Sequence, residues 1–196
     1  MARPKPDIHG IQARILEEAE RMLVESNGQR LVLSGIARRI GMSQSYLHTF
    51  FASKSDLVRA LAQQWFAEVE SVSAAAVQSS LPPAARLETW VLGTLHLKRK
   101  RYDRNPDLFL AYLQLAEGHA DVVQAHTDRL RRDLREIVSG FSPSCGTDTA
   151  VQLAEDCTLL FRTPQNIVRF RSSATDERAK AVCKFLAAAF SGADRN

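Results

Sequence analysis

Apolar residues recur at intervals of three and four along almost the whole chain and alternate hardly anywhere. That period belongs to helices that bury one face, not to strands. Ile8, Ile11, Ile15, Ala19, Met22 and Leu23 make the first stripe, closed by the breaker Asn27-Gly28. Two short segments follow, Ser34 to Ile40 ended by Gly41, and Ser43 to Phe51. A fourth helix, capped by Ser53 or Ser55, carries Leu57, Leu61, Trp65, Phe66 and Val69 and runs to about Ser79. Leu81-Pro82-Pro83 breaks the chain before a fifth, with Leu87, Trp90, Val91, Thr94 and Leu95. Pro106 opens a sixth, with Leu108, Phe109, Tyr112 and Leu113. Gly118 separates it from a seventh, with Val122, Val123, His126, Leu130, Leu134 and Ile137. Two more are expected, from about Asp148 to Arg162, stopped by Pro164, and from about Asp176 to Phe190. The nearest approach to a strand, Ile167 to Phe170, is short and isolated. The expected fold is all-α, with about nine helices.

Charge narrows the partners. The 196 residues carry 26 Lys and Arg against 22 Asp and Glu, a net +4. Nine of the cations but only six of the anions fall in residues 1–60, so the excess sits at the front and hints at a polyanionic partner. No apolar run approaches the ~20 residues of a membrane span. The basic start has no apolar stretch behind it and does not read as a secretory signal. Cys145, Cys157 and Cys183 contain no C-x-x-C pair, which excludes a disulfide scaffold or zinc finger and fits a reducing cytoplasm.

Residues 33–52 have the spacing of a helix-turn-helix. Ala37 is small where two helices must cross closely, and Gly41 falls where the turn favours a left-handed backbone. Ile36, Ile40, Met42, Leu47 and Phe50 are the apolar frame. Ser43, Gln44, Ser45, Tyr46, His48 and Thr49 are left facing outward, with no acidic member. Short polar groups on such a helix can approach base edges in a major groove, and hydroxyls and imidazole can reach phosphates.

These residues resemble the DNA-binding domain of the TetR family of regulators. The resemblance covers residues 8–66. It rests on Gly35-Ile36-Ala37-Arg38-Arg39-Ile40-Gly41-Met42-Ser43, then Tyr46-Leu47-His48-Thr49-Phe50-Phe51, then Ser53-Lys54-Ser55-Asp56-Leu57. More weakly, Pro106-Asp107-Leu108-Phe109, Val122-Val123 with His126, and Phe161-Arg162-Thr163-Pro164 are similar to one of the family's C-terminal subgroups. The resemblance implies a cytoplasmic homodimer that binds pseudo-palindromic double-stranded operator DNA, usually as a repressor. It implies a helix-turn-helix domain over residues 1–54, and a ligand-binding and dimerisation bundle over 55–196. It marks Ser43, Gln44, Ser45 and Tyr46 as base or sugar readers, and His48, Thr49 and Lys54 as phosphate contacts. Three positions depart from the family's pattern. His48 stands where a tyrosine is usual, Ser45-Tyr46 replaces a Gly-Thr or Ala-Thr, and Val32 replaces a Ser or Thr cap, leaving Ser34 to cap a shortened helix.

Beyond that segment, Trp65, Trp90, His96, Phe109, Tyr112, His126 and Phe161 are core residues expected in part to line an inducer pocket, with Gln114 nearby. Such walls suit a small lipophilic or aromatic molecule. Small and apolar faces on the last two long helices suit a dimer contact: Val151, Ala154, Thr158, Leu159 and Phe161 on one, Ala181, Phe185, Ala188 and Ala189 on the other. The run Lys98-Arg99-Lys100-Arg101 with Arg104 reads as a solvated helix end whose cations complement the helix dipole. Arg3 and Lys5, on a Pro-flanked arm, are candidates for a minor groove. No cofactor is implied. His119 and His126 share a helix face, but no third metal ligand is placed with them. The competing reading is an all-α enzyme or metal-binding bundle with an incidental helix-turn-helix. It would need a nucleophile-base pair, paired carboxylates or a Glu-x-x-His motif, and the sequence has no Glu-x-x-His, no Gly-x-Ser-x-Gly and no phosphate-binding Gly loop.

Overall fold

The computed structural model describes residues 7–191. The proposed arm contacts of Arg3 and Lys5 lie outside the described residues. Ten helices follow one another: α1 (Ile8–Glu25), α2 (Leu33–Arg39), α3 (Gln44–His48), α4 (Lys54–Gln78), α5 (Pro83–Arg104), α6 (Pro106–Glu117), α7 (Ala120–Ser139), α8 (Thr147–Arg162), α9 (Pro164–Arg169) and α10 (Asp176–Ser191). Among the described residues there is no strand. The helix beyond the expected nine is α9. Pro164 does end α8, but its fixed φ also suits the first position of the next helix, so Ile167 is buried from a helical turn rather than from a strand.

The chain forms two compact units. Residues 7–65 and 106–122 make one, and residues 66–105 and 123–191 the other. In the first, Ile15, Ala19 and Leu23 of α1, Ile36 of α2, Leu47 of α3, and Leu57 and Leu61 of α4 are fully buried together, with Ala111, Tyr112 and Leu115 of α6 against them. Two left-handed turns set its geometry. After α1, Gly28 N–H donates to the Leu23 carbonyl (2.7 Å), while Asn27 N–H donates to Val24. After α2, Met42 N–H donates to the Ala37 carbonyl (2.8 Å), while Gly41 N–H donates to Arg38. Both satisfy the last carbonyls of a helix and turn the chain sharply.

One cap departs from expectation and the other settles a choice. Ser34 does not cap α2: the cap position is Val32, in extended backbone with no side-chain bond. At α4 the choice falls on Ser53, whose Oγ accepts from Asp56 N–H (3.1 Å) and donates to its carboxylate (2.7 Å).

The second unit packs α5 against α8, α9 and α10, with α7 closing the core through Leu130, Leu134, Ile137 and Val138. Trp90 is fully buried, and its indole N–H donates to Ser73 Oγ (2.7 Å), which donates to Asp133 (2.5 Å). Val151, Ala154, Thr158 and Phe161 of α8 also point into this core, so they cannot form a dimer face. What α8 and α10 turn outward instead is Leu153, Cys157 and Leu159 with Ala181, Phe185, Ala188 and Ala189. Phe185 is 68% exposed and Leu159 55%.

Gly28 and Gly41 have φ of +80° and +70°. A Cβ at Gly41 would meet open space, whereas one at Gly28 would lie 2.3 Å from the Ala111 carbonyl oxygen. Gly41→Ala should therefore cost ~1–2 kcal/mol, from the left-handed backbone alone. Gly28→Ala should cost clearly more, because the α6 backbone must also move. Denaturant melts of the two variants check the order, and equal losses would contradict it.

Candidate nucleic-acid interface

Helix α3 has five residues and carries the outward polar set. Leu47 is its buried anchor, and Gln44, Ser45, Tyr46, His48 and the following Thr49 are all exposed. The expected helix over 43–51 is shorter at both ends. Ser43 lies just before it as the cap, its Oγ accepting from Tyr46 N–H (3.1 Å). Thr49 lies just after it, its hydroxyl donating to the Tyr46 carbonyl (2.7 Å). Tyr46 leans edge-on to Phe50, ring centroids 5.3 Å apart, and is half-exposed.

His48 sits between two partners. Its Nδ1 is 3.1 Å from the Ala52 carbonyl, and its Nε2 is 3.4 Å from the Gln44 side-chain nitrogen. A carbonyl only accepts, so Nδ1 carries the proton, and Nε2 of the neutral ring accepts from the Gln44 amide. The shorter imidazole standing where tyrosine is usual can donate to a phosphate from Nε2 only as the imidazolium.

The cations around α3 divide into committed and available ones. Arg39 of α2 forms a bidentate pair with Glu25 of α1 (2.6 and 2.9 Å) and reaches Glu18 (3.2 Å). That lowers the Glu25 carboxyl below its ordinary range, first through the Arg39 hydrogen bonds. Arg38, one residue earlier, is exposed and has no ion pair among the described residues. Lys54, at the start of α4, is likewise exposed without one. The sequence reading did not single out Arg38. The signal was there: Glu18 and Glu25 are seven apart on one face of α1, so they take up one of two adjacent arginines and leave the other.

The seven residues expected around a ligand divide between the two units, three in the first and four in the second. In the first unit Trp65 stacks on Tyr112 (4.1 Å, 18°) with Phe109 edge-on at 5.9 Å, and Tyr112 Oη donates to Glu20 (2.8 Å). Trp90 and Phe161 are buried in the core of the second unit. His96 stands on its surface, paired with Asp176 of α10 at 2.7 Å. His126 is buried, stacked on Phe66 (3.9 Å) and bonded to Glu70 at 3.0 Å. Burial holds the His126 imidazole below its usual pKa against the pull of Glu70. An open hollow of about 400 Å³ between α5 and α10, lined by Ala84, Ala85, Glu88, Lys180, Ala181 and Lys184 among others, contains none of the seven. The basic run is a solvated end only at Lys100 and Arg104, which are exposed. Lys98 is buried, Arg99 pairs with Asp176 (2.7 Å), and Arg101 with Glu68 (3.0 Å).

The Arg39–Glu25 pair yields a pH prediction. A carboxyl whose folded pKa is depressed stabilises the fold above its unfolded pKa, and that contribution is lost as pH falls through the folded value. Melting temperature of the wild type should drop more steeply below pH 5 than that of Arg39→Met. Parallel acid limbs would show that the pair contributes nothing.

Comparison with known proteins agrees with this arrangement. Residues 15–61 match the model of the bacterial regulatory proteins of the tetR family, and residues 83–183 match that of a tetracyclin repressor-like C-terminal domain. No curated protein matches the chain. The fold is similar to that of the TetR family transcriptional regulator PfmR from Thermus thermophilus, with 18% identity, TM-score 0.55, and coverage of 93% of this chain and all of that one. It is also similar to a TetR-family regulator from Mesorhizobium loti, with 13% identity, TM-score 0.59, and coverage of 94% and 98%. With a helix-turn-helix at its front and a matching C-terminal domain over more than half its length, the chain belongs to the TetR family of DNA-binding transcriptional regulators.

Proposed function

We propose that this regulator is a cytoplasmic homodimeric repressor, released from operator DNA by a small lipophilic or aromatic inducer. The observation that carries the DNA half is α3. A buried Leu47 holds it while every polar residue around it faces solvent, with no acidic group among them. Ser43, Gln44, Ser45 and Tyr46 read bases or sugars, and His48, Thr49 and Lys54 contact phosphates. Arg38 joins them as a further phosphate contact. The DNA-binding domain spans 1–54 and the ligand and dimer domain 55–196. Family membership favours a regulatory over a catalytic role, and among the described residues no helix is long and apolar enough to cross a membrane.

A dimer through α8 and α10 is supported by their outward apolar residues. A patch led by Phe185 and Leu159 is costly to leave in water. Two such protomers present two α3 helices to successive major grooves, roughly 34–36 Å or a multiple apart. The ligand half is supported by chain continuity: α4 starts at Lys54, beside the DNA contacts, and runs on past Trp65 into the second unit. To weaken operator affinity 100-fold, the inducer must bind the released state ~2.7 kcal/mol better than the DNA-bound one.

Selection from random duplexes should return an enriched palindrome, and its absence would overturn the reading. With that palindrome, Gln44→Ala should cost ~1–3 kcal/mol and relax preference at one base pair. Lys54→Ala and Arg38→Ala should weaken all sequences alike and lower the salt slope by about 1 each.

Phe185→Glu and Leu159→Glu should each give monomers by light scattering and abolish operator binding. Two variants of unchanged mass would reject this dimer face.

A further inference from the structure

Gln44 and His48 stand one helical turn apart on α3, both exposed, and their side chains are bonded to each other. Residues four apart share a helix face, so whatever α3 is laid against meets the two together. Their bond is held from outside the helix. In the turn after α3, Phe51 is buried and its N–H donates to the Leu47 carbonyl (3.1 Å), while Ser53 caps α4. The Ala52 carbonyl between them is thus held on both sides, and it accepts the His48 Nδ1 proton at 3.1 Å. Nε2 of the neutral ring is left as an acceptor, and the Gln44 side-chain nitrogen lies 3.4 Å from it.

A side-chain amide has an acceptor end and a donor end, and a free one presents either by turning over. Turning over here would set the Gln44 oxygen against the lone pair of His48 Nε2. The nitrogen therefore stays toward His48, and the oxygen with the one remaining N–H is left for a base. An acceptor beside a donor matches adenine, whose N6 amino group donates and whose N7 accepts in the major groove. Guanine shows two acceptors there, N7 and O6, and one of them would meet the amide oxygen.

We propose that His48 is a specificity-determining positioning residue, which holds the Gln44 amide nitrogen so that the base pair under Gln44 is read as adenine. This rests on α3 being the DNA-reading helix and names what it reads at one position. Nε2 serves one partner at a time. An imidazolium that donates to a phosphate no longer accepts from Gln44, so the phosphate contact and the hold on Gln44 are alternatives. The hold is the one that the Ala52 carbonyl builds, because it fixes the tautomer that accepts.

The test is selection from random duplexes with the full-length protein, then affinities for the selected operator changed at single base pairs. The pair whose preference Gln44→Ala relaxes locates Gln44. There the wild type should favour adenine over guanine by about ten-fold or more. His48→Phe keeps a ring and removes the acceptor, and it should cut that ratio to about three-fold or less. His48→Lys supplies only donors, draws the amide oxygen to itself, and should reverse the ratio toward guanine. Preferences at the other base pairs should stay as they are, which shows that α3 is still seated. The salt slope of His48→Phe should equal that of the wild type.

No adenine preference in the wild type, or a ratio unchanged in both variants, would overturn the role of His48. A slope lowered by about 1 in His48→Phe with the ratio intact would give His48 to a phosphate instead. An enriched operator that Gln44→Ala leaves unchanged overturns this inference and keeps α3 as the reader through other residues. No enriched operator at all overturns the reading of α3 itself.

Discussion

A helix of five residues cannot hold itself together in water, because too few hydrogen bonds offset the cost of its first turn. Helix α3 is such a helix, and it carries the surface proposed to meet DNA. It persists because Leu47 is buried among Ile36, Ala37, Phe51 and Leu57, and because the turn at Gly41 delivers it there. The side-chain oxygen of Ser43 then satisfies one of its free N–H groups. Neighbouring helices of the first unit support that burial. Helix α1 supplies the floor, and the Arg39 bridge to Glu18 and Glu25 ties α2 to α1.

Pairing divides the protein's cations into classes that counting cannot separate. Arg39 is committed to the fold, while Arg38 beside it remains available to a polyanion. In the run at the end of α5, three of four cations are drawn from solvent: Arg99 to α10, Arg101 to α4, and Lys98 into the interior. Arg and Lys tolerate this because a long apolar stem packs while the charged head finds a partner.

Much of the architecture was legible in the chain because helices announce themselves by period and punctuation. The 3–4 spacing, the Asn27-Gly28 and Gly41 stops and the prolines at 83 and 106 marked nearly every helix. Boundaries failed where one residue serves two elements. Pro164 both ends α8 and starts α9, and the short apolar run after it resembled a strand because one turn of helix shows no period. The apolar frame of the helix-turn-helix and its outward polar set were also readable, since two short helices leave few ways to bury Ile36 and Leu47. The ligand set was not, because aromatic residues at helical spacing look alike whether they face a cavity or one another. Trp65 and Tyr112 stack on each other, and Trp90 donates its N–H to Ser73.

The sequence alone determined that the chain is helical, where most helices stop, and which short helix presents hydrogen-bonding groups without acid. Those properties follow from local backbone preference and from the pattern along a single helix. Only the tertiary structure decided which face of α8 is interior and which is open, which of Arg38 and Arg39 is taken, and that Lys98 is buried. Each of these depends on what a second helix, distant in the chain, brings opposite: Glu25 opposite Arg39, Trp90 beneath Arg162, Asp176 opposite Arg99. Pairing energies are set by distance and burial between elements, and one-dimensional spacing carries neither.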